Sequence, residues 1–380
     1  MEIYNNFIKN QYNYIGVQHS RKIKFNNILS KFNKIHLNNI ADPFNPPEIE
    51  IDPNTYYFEK KYLEKYASWI NMDLNNIWGI TTSCGSEGCL YGILYGKKHF
   101  NKLKPIVVTS IKSHYVIERY SKMFDLEIIM CDVNKYDELD LTSFESTIIK
   151  NKKRFIKNGL IIVLTIGTTI KCGFDNINDS VSILKKHNMN YYLHLDAALG
   201  GLILPFLENN PIDYKKTKFD SISVSSYKML GMPYPAGFFL TTLKNKLHNQ
   251  SEYTSKDDGS IFCSRNGQSI LYIYLYFCMK DSFKTIKENV ISCFNLKKYV
   301  IKKLKKYNIN YEDNPNNGLS IYFKKETMNN SLIQKYHLIT DNIYSHIYIV
   351  TGTKKSVLNS FIEDYNILIN GTKIKKYIET

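Results

Sequence analysis

Two hydrophobic periods alternate along this chain and divide it into elements. From Phe58 to Ile70 the apolar residues Phe58, Tyr62, Tyr66, Trp69 and Ile70 return every three to four positions, which predicts an amphipathic helix. Residues 77–82, 105–110, 160–165 and 191–195 are instead short apolar runs that predict strands, with a strand pair around 126–130. Helical spacing through Leu90, Ile93 and Leu94, and a helix near 143–150, separate these runs, so the middle of the chain is predicted as successive β–α units. A loop from Met229 leads into a last strand ending near Leu240.

The two ends follow other patterns. Ile28, Leu29, Phe32 and Ile35 carry helical spacing in a stretch rich in Tyr, Asn and Lys, which predicts an N-terminal arm over residues 1–48 that packs on a partner subunit. Pro46-Pro47 stops any helix there. Leu296, Val300, Ile301 and Leu304 form an apolar stripe backed by Lys297, Lys298, Lys302, Lys303, Lys305 and Lys306, predicted as a helix with a solvated basic face. Strand-like residues 319–323 and 346–350 and a helix over 354–368 suggest a small α+β domain, taken as residues 246–380, behind a large α/β domain of residues 49–245.

Composition excludes more than it identifies. With 380 residues, 43% hydrophobic and 22% charged, the chain can bury a large core, and no apolar run approaches the ~20 residues of a membrane span. Residues 1–6 lack the basic-then-apolar order of a secretory signal, so a cytoplasmic location is expected. Seven cysteines with no CxxC pair argue against both a disulfide framework and a zinc site, and no metal is expected. A formal charge of +15 invites polyanion binding, yet the lysines are scattered and only four residues are arginine, so no nucleic-acid partner is expected.

The candidate chemistry lies in two halves. Asp196 follows a strand-like run directly, and a buried carboxylate needs a cationic partner, of which a pyridinium nitrogen is one. Lys228 follows Ser223, Ser225 and Ser226 at the end of another apolar segment, where an amine can form a Schiff base while hydroxyls bind an anion. Together these describe pyridoxal phosphate. Further along the same logic, Gly85 and Ser86 open a helix whose N-terminus suits a phosphate, His114 follows a strand, and Thr168 falls beyond the end of the run 160–165.

The order of these pieces resembles the pyridoxal-phosphate-dependent group II amino-acid decarboxylases, most closely the short histidine and serine decarboxylases, from about Asn38 to Asn266. The residues carrying it are Asn38 to Phe44, Ser83 to Gly88, His114, Gly167-Thr168-Thr169 with Gly173 and Asp175, His194 to Gly201, Ser225 to Lys228, Met229 to Leu240, and Ser264-Arg265-Asn266-Gly267. The resemblance implies a fold type I transferase-like architecture with a mostly parallel sheet, a homodimer with interface active sites, and a loop from Glu252 to Gly267 crossing to the partner. It implies that Lys228, Asp196 and His114 are catalytic and that Gly85, Ser86, His114, Thr168, Asp196, Ala198, Ser225, Tyr227 and Lys228 bind the cofactor. Two positions depart from it: Cys84 stands where the family has a glycine, and Tyr227 where it has a histidine.

The expected reaction is loss of CO2 from an L-amino acid, histidine or serine favoured. Asp196 keeps the ring nitrogen protonated, Lys228 returns a proton to Cα, and His114 stacks on the ring. An aminotransferase of the same fold typically grips the α-carboxylate with an arginine from the small domain, and no arginine occurs after Arg265. The competing reading is a catalytically degenerate protein of this fold that binds polyanions.

Overall fold

The apolar runs at the centre of the chain become the strands of one sheet. The computed structural model describes residues 1–20, 27–101, 103–250, 254, 256–316 and 318–378; Arg21, Glu252 and Tyr253, and the side chain of Ile28, lie outside the described set. In chain order the first elements are α1 (Glu2–Asn10), α2 (Asn27–Lys31), β1 (Asn38–Ile40), α3 (Tyr56–Trp69), β2 (Ile77–Thr82) and α4 (Gly85–His99). There follow β3 (Ile106–Ser110), α5 (Val116–Met123), β4 (Ile128–Cys131), α6 (Leu141–Asn158), β5 (Leu160–Thr165), α7 (Ile177–Lys186) and β6 (Tyr192–Asp196). Next come β7 (Ser221–Ser225), α8 (Ser226–Leu230), β8 (Gly237–Thr242), β9 (Ser264–Asn266), α9 (Gly267–Cys278) and α10 (Ser282–Lys306). The chain ends in β10 (Glu312–Asp313), β11 (Ser320–Lys324), α11 (Asn330–Tyr336), β12 (Ile339–Thr340), β13 (Tyr344–Tyr348) and α12 (Lys355–Ile378).

The large sheet has the order β2-β8-β7-β6-β5-β3-β4. β8 runs antiparallel to both of its neighbours, and the other pairings are parallel. Strands β2, β3, β5, β6, β7 and β8 are buried along their full length; β2 and β5 accordingly read as nearly unbroken apolar runs, whereas β7, Ser-Ile-Ser-Val-Ser, alternates although both of its faces are buried. β4, at the sheet edge, is the single strand formed where a pair was expected around 126–130. Helix α6 is longer than its predicted core because Asp140 caps it, accepting from Ser143 N at 2.7 Å, and Gly159 with φ 89° ends it.

α3 buries Tyr62, Leu63, Tyr66 and Ala67, and its aromatic face meets α9 through Phe58–Tyr274, Tyr62–Phe277 and Trp69–Phe277 ring contacts. Glu59 on the same helix is fully buried and held by Arg265 at 2.9 Å, Asn39 Nδ2 at 2.6 Å and Thr81 N at 2.8 Å. β1 pairs with β9, Asn38 facing Asn266, so two of the quoted motifs, far apart in sequence, form one two-stranded ribbon over this ion pair.

Residues 312–348 form the second sheet, β10-β11-β13-β12, antiparallel throughout. Two features here lay outside the sequence pattern. Residues 11–20 of the N-terminal arm lie against the chain's own second sheet: Tyr348 N donates to Ile15 O at 2.6 Å, Ile15 N to Tyr336 O at 3.1 Å, and His346 Nε2 sits 2.9 Å from Gly16 O. Lys297, assigned to the solvated basic face of α10, is buried instead. Its ammonium is satisfied by Asn314 O at 2.7 Å, Gly318 O at 2.8 Å and Asp313 at 2.9 Å, which anchors α10 to the turn before β11.

Candidate functional site

Parallel strands end side by side, and their last residues define the site. Thr165 at the end of β5 faces Asp196 at the end of β6, and Asp196 faces Ser223 on β7. An open α/β sheet leaves a crevice beyond these carboxyl ends, and α4 forms one of its walls. α4 reaches this close because its inner face is glycine. A Cβ on Gly85 would overlap Ser225 Oγ, one on Gly88 would stand 2.5 Å from Ser223 Cβ, and one on Gly92 would stand 2.5 Å from the His194 ring.

Gly85, Ser86, His114, Thr168, Asp196, Ala198, Ser225, Tyr227 and Lys228, the nine residues that the resemblance assigns to the cofactor, line one cavity. Cys84, Cys89, Lys112, Val116, Thr165, Gly167 and Thr169 complete its wall. Of the hydroxyl run before Lys228, Ser225 alone reaches the cavity. Ser223 is buried beside Asp196 on the neighbouring strand, and Ser226 is buried in α8 with no hydrogen-bond partner, so neither is placed to bind an anion there.

Lys228 Nζ donates to Gln18 Oε1 at 2.9 Å, and Gln18 Nε2 donates to Thr169 O at 2.9 Å. Exclusion of water lowers the Lys228 pKa, while the nearby Asp196 carboxylate works the other way. Asp196 is 5 % exposed and accepts from Ala198 N at 3.2 Å. Loss of water likewise lowers the pKa of His114, whose ring lies beside Tyr115 and whose Nδ1 accepts weakly from Val116 N at 3.4 Å. Thr168 Oγ1 accepts from Gly173 N at 2.8 Å, fastening the loop after β5, and its own proton stays available. Asp175 secures the other side of this loop, accepting from Thr165 N and Leu139 N, each at 2.7 Å. Glu87 folds back on Ser83, taking its N–H at 2.7 Å and its hydroxyl at 2.6 Å, so Ser86 is the hydroxyl of the turn directed at the cavity.

Gln18, Lys112, Cys89 and Thr165 were not picked out from the sequence. Gln18 and Lys112 come from irregular segments without periodicity. Cys89 and Thr165 did carry a signal, one lying a helical turn beyond Ser86 and the other ending the clearest strand.

Thr165 Oγ1 is buried in the cavity wall with no hydrogen-bond partner. A buried hydroxyl left single is a place for a ligand atom. With a glycine-lined helix start for a phosphate, a buried carboxylate for a ring nitrogen and an amine of lowered pKa, the residues fit a pyridoxal phosphate molecule. That combination on a mainly parallel sheet defines a fold type I pyridoxal-phosphate enzyme.

The pyridoxal-dependent decarboxylase conserved domain matches residues 14–312, and the chain belongs to that family. Its activity is therefore amino-acid decarboxylation, with pyridoxal 5'-phosphate as cofactor. The chain is 28% identical over 341 residues to serine decarboxylase 3 of Oryza sativa subsp. japonica, covering 88% of this chain and 74% of that protein. It is 28% identical over 374 residues to the histidine decarboxylase of Vibrio anguillarum, covering 95% and 92%. Among solved structures, L-methionine decarboxylase from Streptomyces sp. 590 superposes with a TM-score of 0.82 at 17% identity, over 97% of this chain and 95% of that one. No helix among the described residues is long and apolar enough to cross a membrane.

Proposed function

We propose that the chain decarboxylates L-histidine or L-serine, with Lys228, Asp196 and His114 as its catalytic residues. The observation that carries the assignment of roles is the meeting of Lys228, Asp196 and the unpartnered Thr165 hydroxyl in one cavity. When bound, the cofactor supplies an electron sink for the pair left at Cα as CO2 departs. Asp196 holds a proton at the ring nitrogen through its carboxylate. Lys228 Nζ is the attachment point and afterwards delivers a proton to Cα, a role for which the lowered pKa suits its amine. The His114 imidazole gives a flat face against the ring. Ser86 and Ser225 offer hydroxyls to the phosphate, and Thr168 and Thr165 offer theirs to the phosphate or to the ring hydroxyl.

Among the described residues no arginine lines the cavity; its cations are Lys112 and Lys228. A substrate carboxylate free of a guanidinium clamp can stand perpendicular to the ring, the geometry in which the bond to CO2 breaks. The relatives named for serine and for histidine support the choice of substrate. A homodimer in the cytoplasm is the assembly we propose, and seven cysteines with no disulfide among them suit a reducing compartment.

The experiment is a screen of the twenty amino acids for CO2 release by protein reconstituted with pyridoxal phosphate, alongside Lys228→Ala. Release from histidine or serine, lost together with the visible absorbance of bound cofactor in the variant, is the expected result. Release from neither substrate, or full activity in Lys228→Ala, overturns the reading.

A further inference from the structure

Behind Asp196 lies a column of buried polar groups that the proposed reaction does not use. His194 and Asp196 are two apart on β6 and so share a face, and Ser221 and Ser223 face them on β7 in register, His194 opposite Ser221 and Asp196 opposite Ser223. His194 Nδ1 is 2.8 Å from Ser221 Oγ and its Nε2 is 3.3 Å from Ser223 Oγ. Ser223 Oγ is in turn 3.6 Å from Cys89 Sγ. Cys89 enters from α4 between Gly88 and Gly92 and lines the cavity beside Asp196, where burial and the neighbouring carboxylate raise the pKa of its thiol. His194, Ser221 and Ser223 are fully buried and Cys89 is 1 % exposed, so these groups have one another as partners rather than water.

We infer that His194, Ser223 and Cys89 form a directed hydrogen-bond relay that positions Asp196. The direction follows from what each group can do. A carboxylate only accepts, so the thiol S–H donates to Asp196. The Cys89 sulfur then accepts from Ser223 O–H, and Ser223 Oγ accepts from His194 Nε2–H. His194 has one N–H to give, because burial keeps its imidazole neutral, with a pKa lowered to about 4. Its Nδ1 therefore accepts from Ser221 O–H. Donors aligned toward one acceptor in a dry interior polarise each other in the same sense. The last donor is a thiol, which is weak, so Asp196 is oriented without losing its strength as an acceptor for the ring nitrogen. The glycine face of α4 makes the relay physically accessible, since a Cβ at Gly88 or Gly92 would push the helix off Ser223 and His194.

The inference rests on the assignment of Asp196 to the ring nitrogen, and its test separates the two. Wild type, Cys89→Ala, Cys89→Ser and Asp196→Asn are loaded with 15N-labelled pyridoxal phosphate, and the cofactor dissociation constant and ring-nitrogen chemical shift are measured. Cys89→Ala is expected to bind cofactor about fivefold more weakly and to move the ring-nitrogen shift toward that of the unprotonated ring. Cys89→Ser, which keeps a donor, returns both toward wild type. If Asp196→Asn changes both readouts and Cys89→Ala changes neither, the relay is wrong. If Asp196→Asn changes neither, the assignment of Asp196 is wrong instead. Should Cys89→Ala fail to fold, Ser223→Ala gives the same test one step back, with a smaller change in the same sense. A His194 side chain protonated at Nδ1 in the wild-type NMR spectrum also overturns the relay.

Discussion

Single side chains set the electrostatics of this site. Tyr227 lines the cavity one residue before Lys228, at a position where the family carries histidine, and burial raises its pKa, so it is a neutral phenol. Tyr227→His adds a group that can carry positive charge near the phosphate, and a charge-assisted hydrogen bond should tighten cofactor binding about five- to tenfold. A fluorescence titration of the cofactor-free protein measures this, and unchanged affinity would place the phosphate elsewhere. Gln18 is the acceptor for the Lys228 amine. An acceptor favours the ammonium form, so Gln18→Ala should lower the Lys228 pKa further, by up to about one unit. The pH dependence of Lys228 acylation in cofactor-free protein reports it, and a coincident profile would show that Gln18 leaves the amine untouched.

At the scale of elements, α4 is the part on which the site depends. Its glycines meet Ser225, Ser223 and His194 in succession, so the helix N-terminus and the carboxyl ends of β6 and β7 are brought within reach of one ligand. Gly92→Ala drives a methyl into the His194 ring, and overpacking of this kind costs about 1–3 kcal/mol. Gly371 in α12 has nothing within 4 Å of where a Cβ would sit, so Gly371→Ala should be neutral or stabilise by up to about 1 kcal/mol. Denaturant unfolding of the two variants compares them; equal midpoints would refute the packing argument. The ribbon of β1 and β9 makes a similar case through charge. Arg265→Ala leaves Glu59 buried with an unpaired carboxylate, at a cost of about 3–5 kcal/mol, and the same titration reads the loss.

Across the whole molecule, two buried neutral histidines make stability depend on pH. His194 lies in the large sheet and His346 in the second sheet, over Gly16 of the N-terminal segment, and burial lowers both to about 4. Unfolded, each returns to about 6.5 and takes up a proton that the folded chain refuses. Stability is therefore complete above about pH 6.5 and falls as pH drops toward 4, by up to about 3 kcal/mol per histidine. Urea unfolding at a series of pH values measures the slope, which His346→Gln should reduce; a flat profile between pH 4 and 7 would contradict it. The segment of residues 11–20 links the parts, since it hydrogen-bonds to β13 and carries Gln18 to Lys228.

The β–α order of the core was legible in the sequence, and so were the two segments that bring Asp196 and Lys228 to one cavity, because burial on both faces writes strands as apolar runs and a carboxylate or amine just beyond such a run stands out against it. Tertiary structure decided what depends on contacts between distant residues. It turned residues 11–20 onto the chain's own second sheet, buried Lys297 under carbonyls that its helical position does not reveal, and withdrew Ser223 and Ser226 from the cavity. It also set His194 and Cys89 behind Asp196. Periodicity tells which face of an element is buried, but the partner that meets that face is fixed only when strand register and helix approach are fixed together.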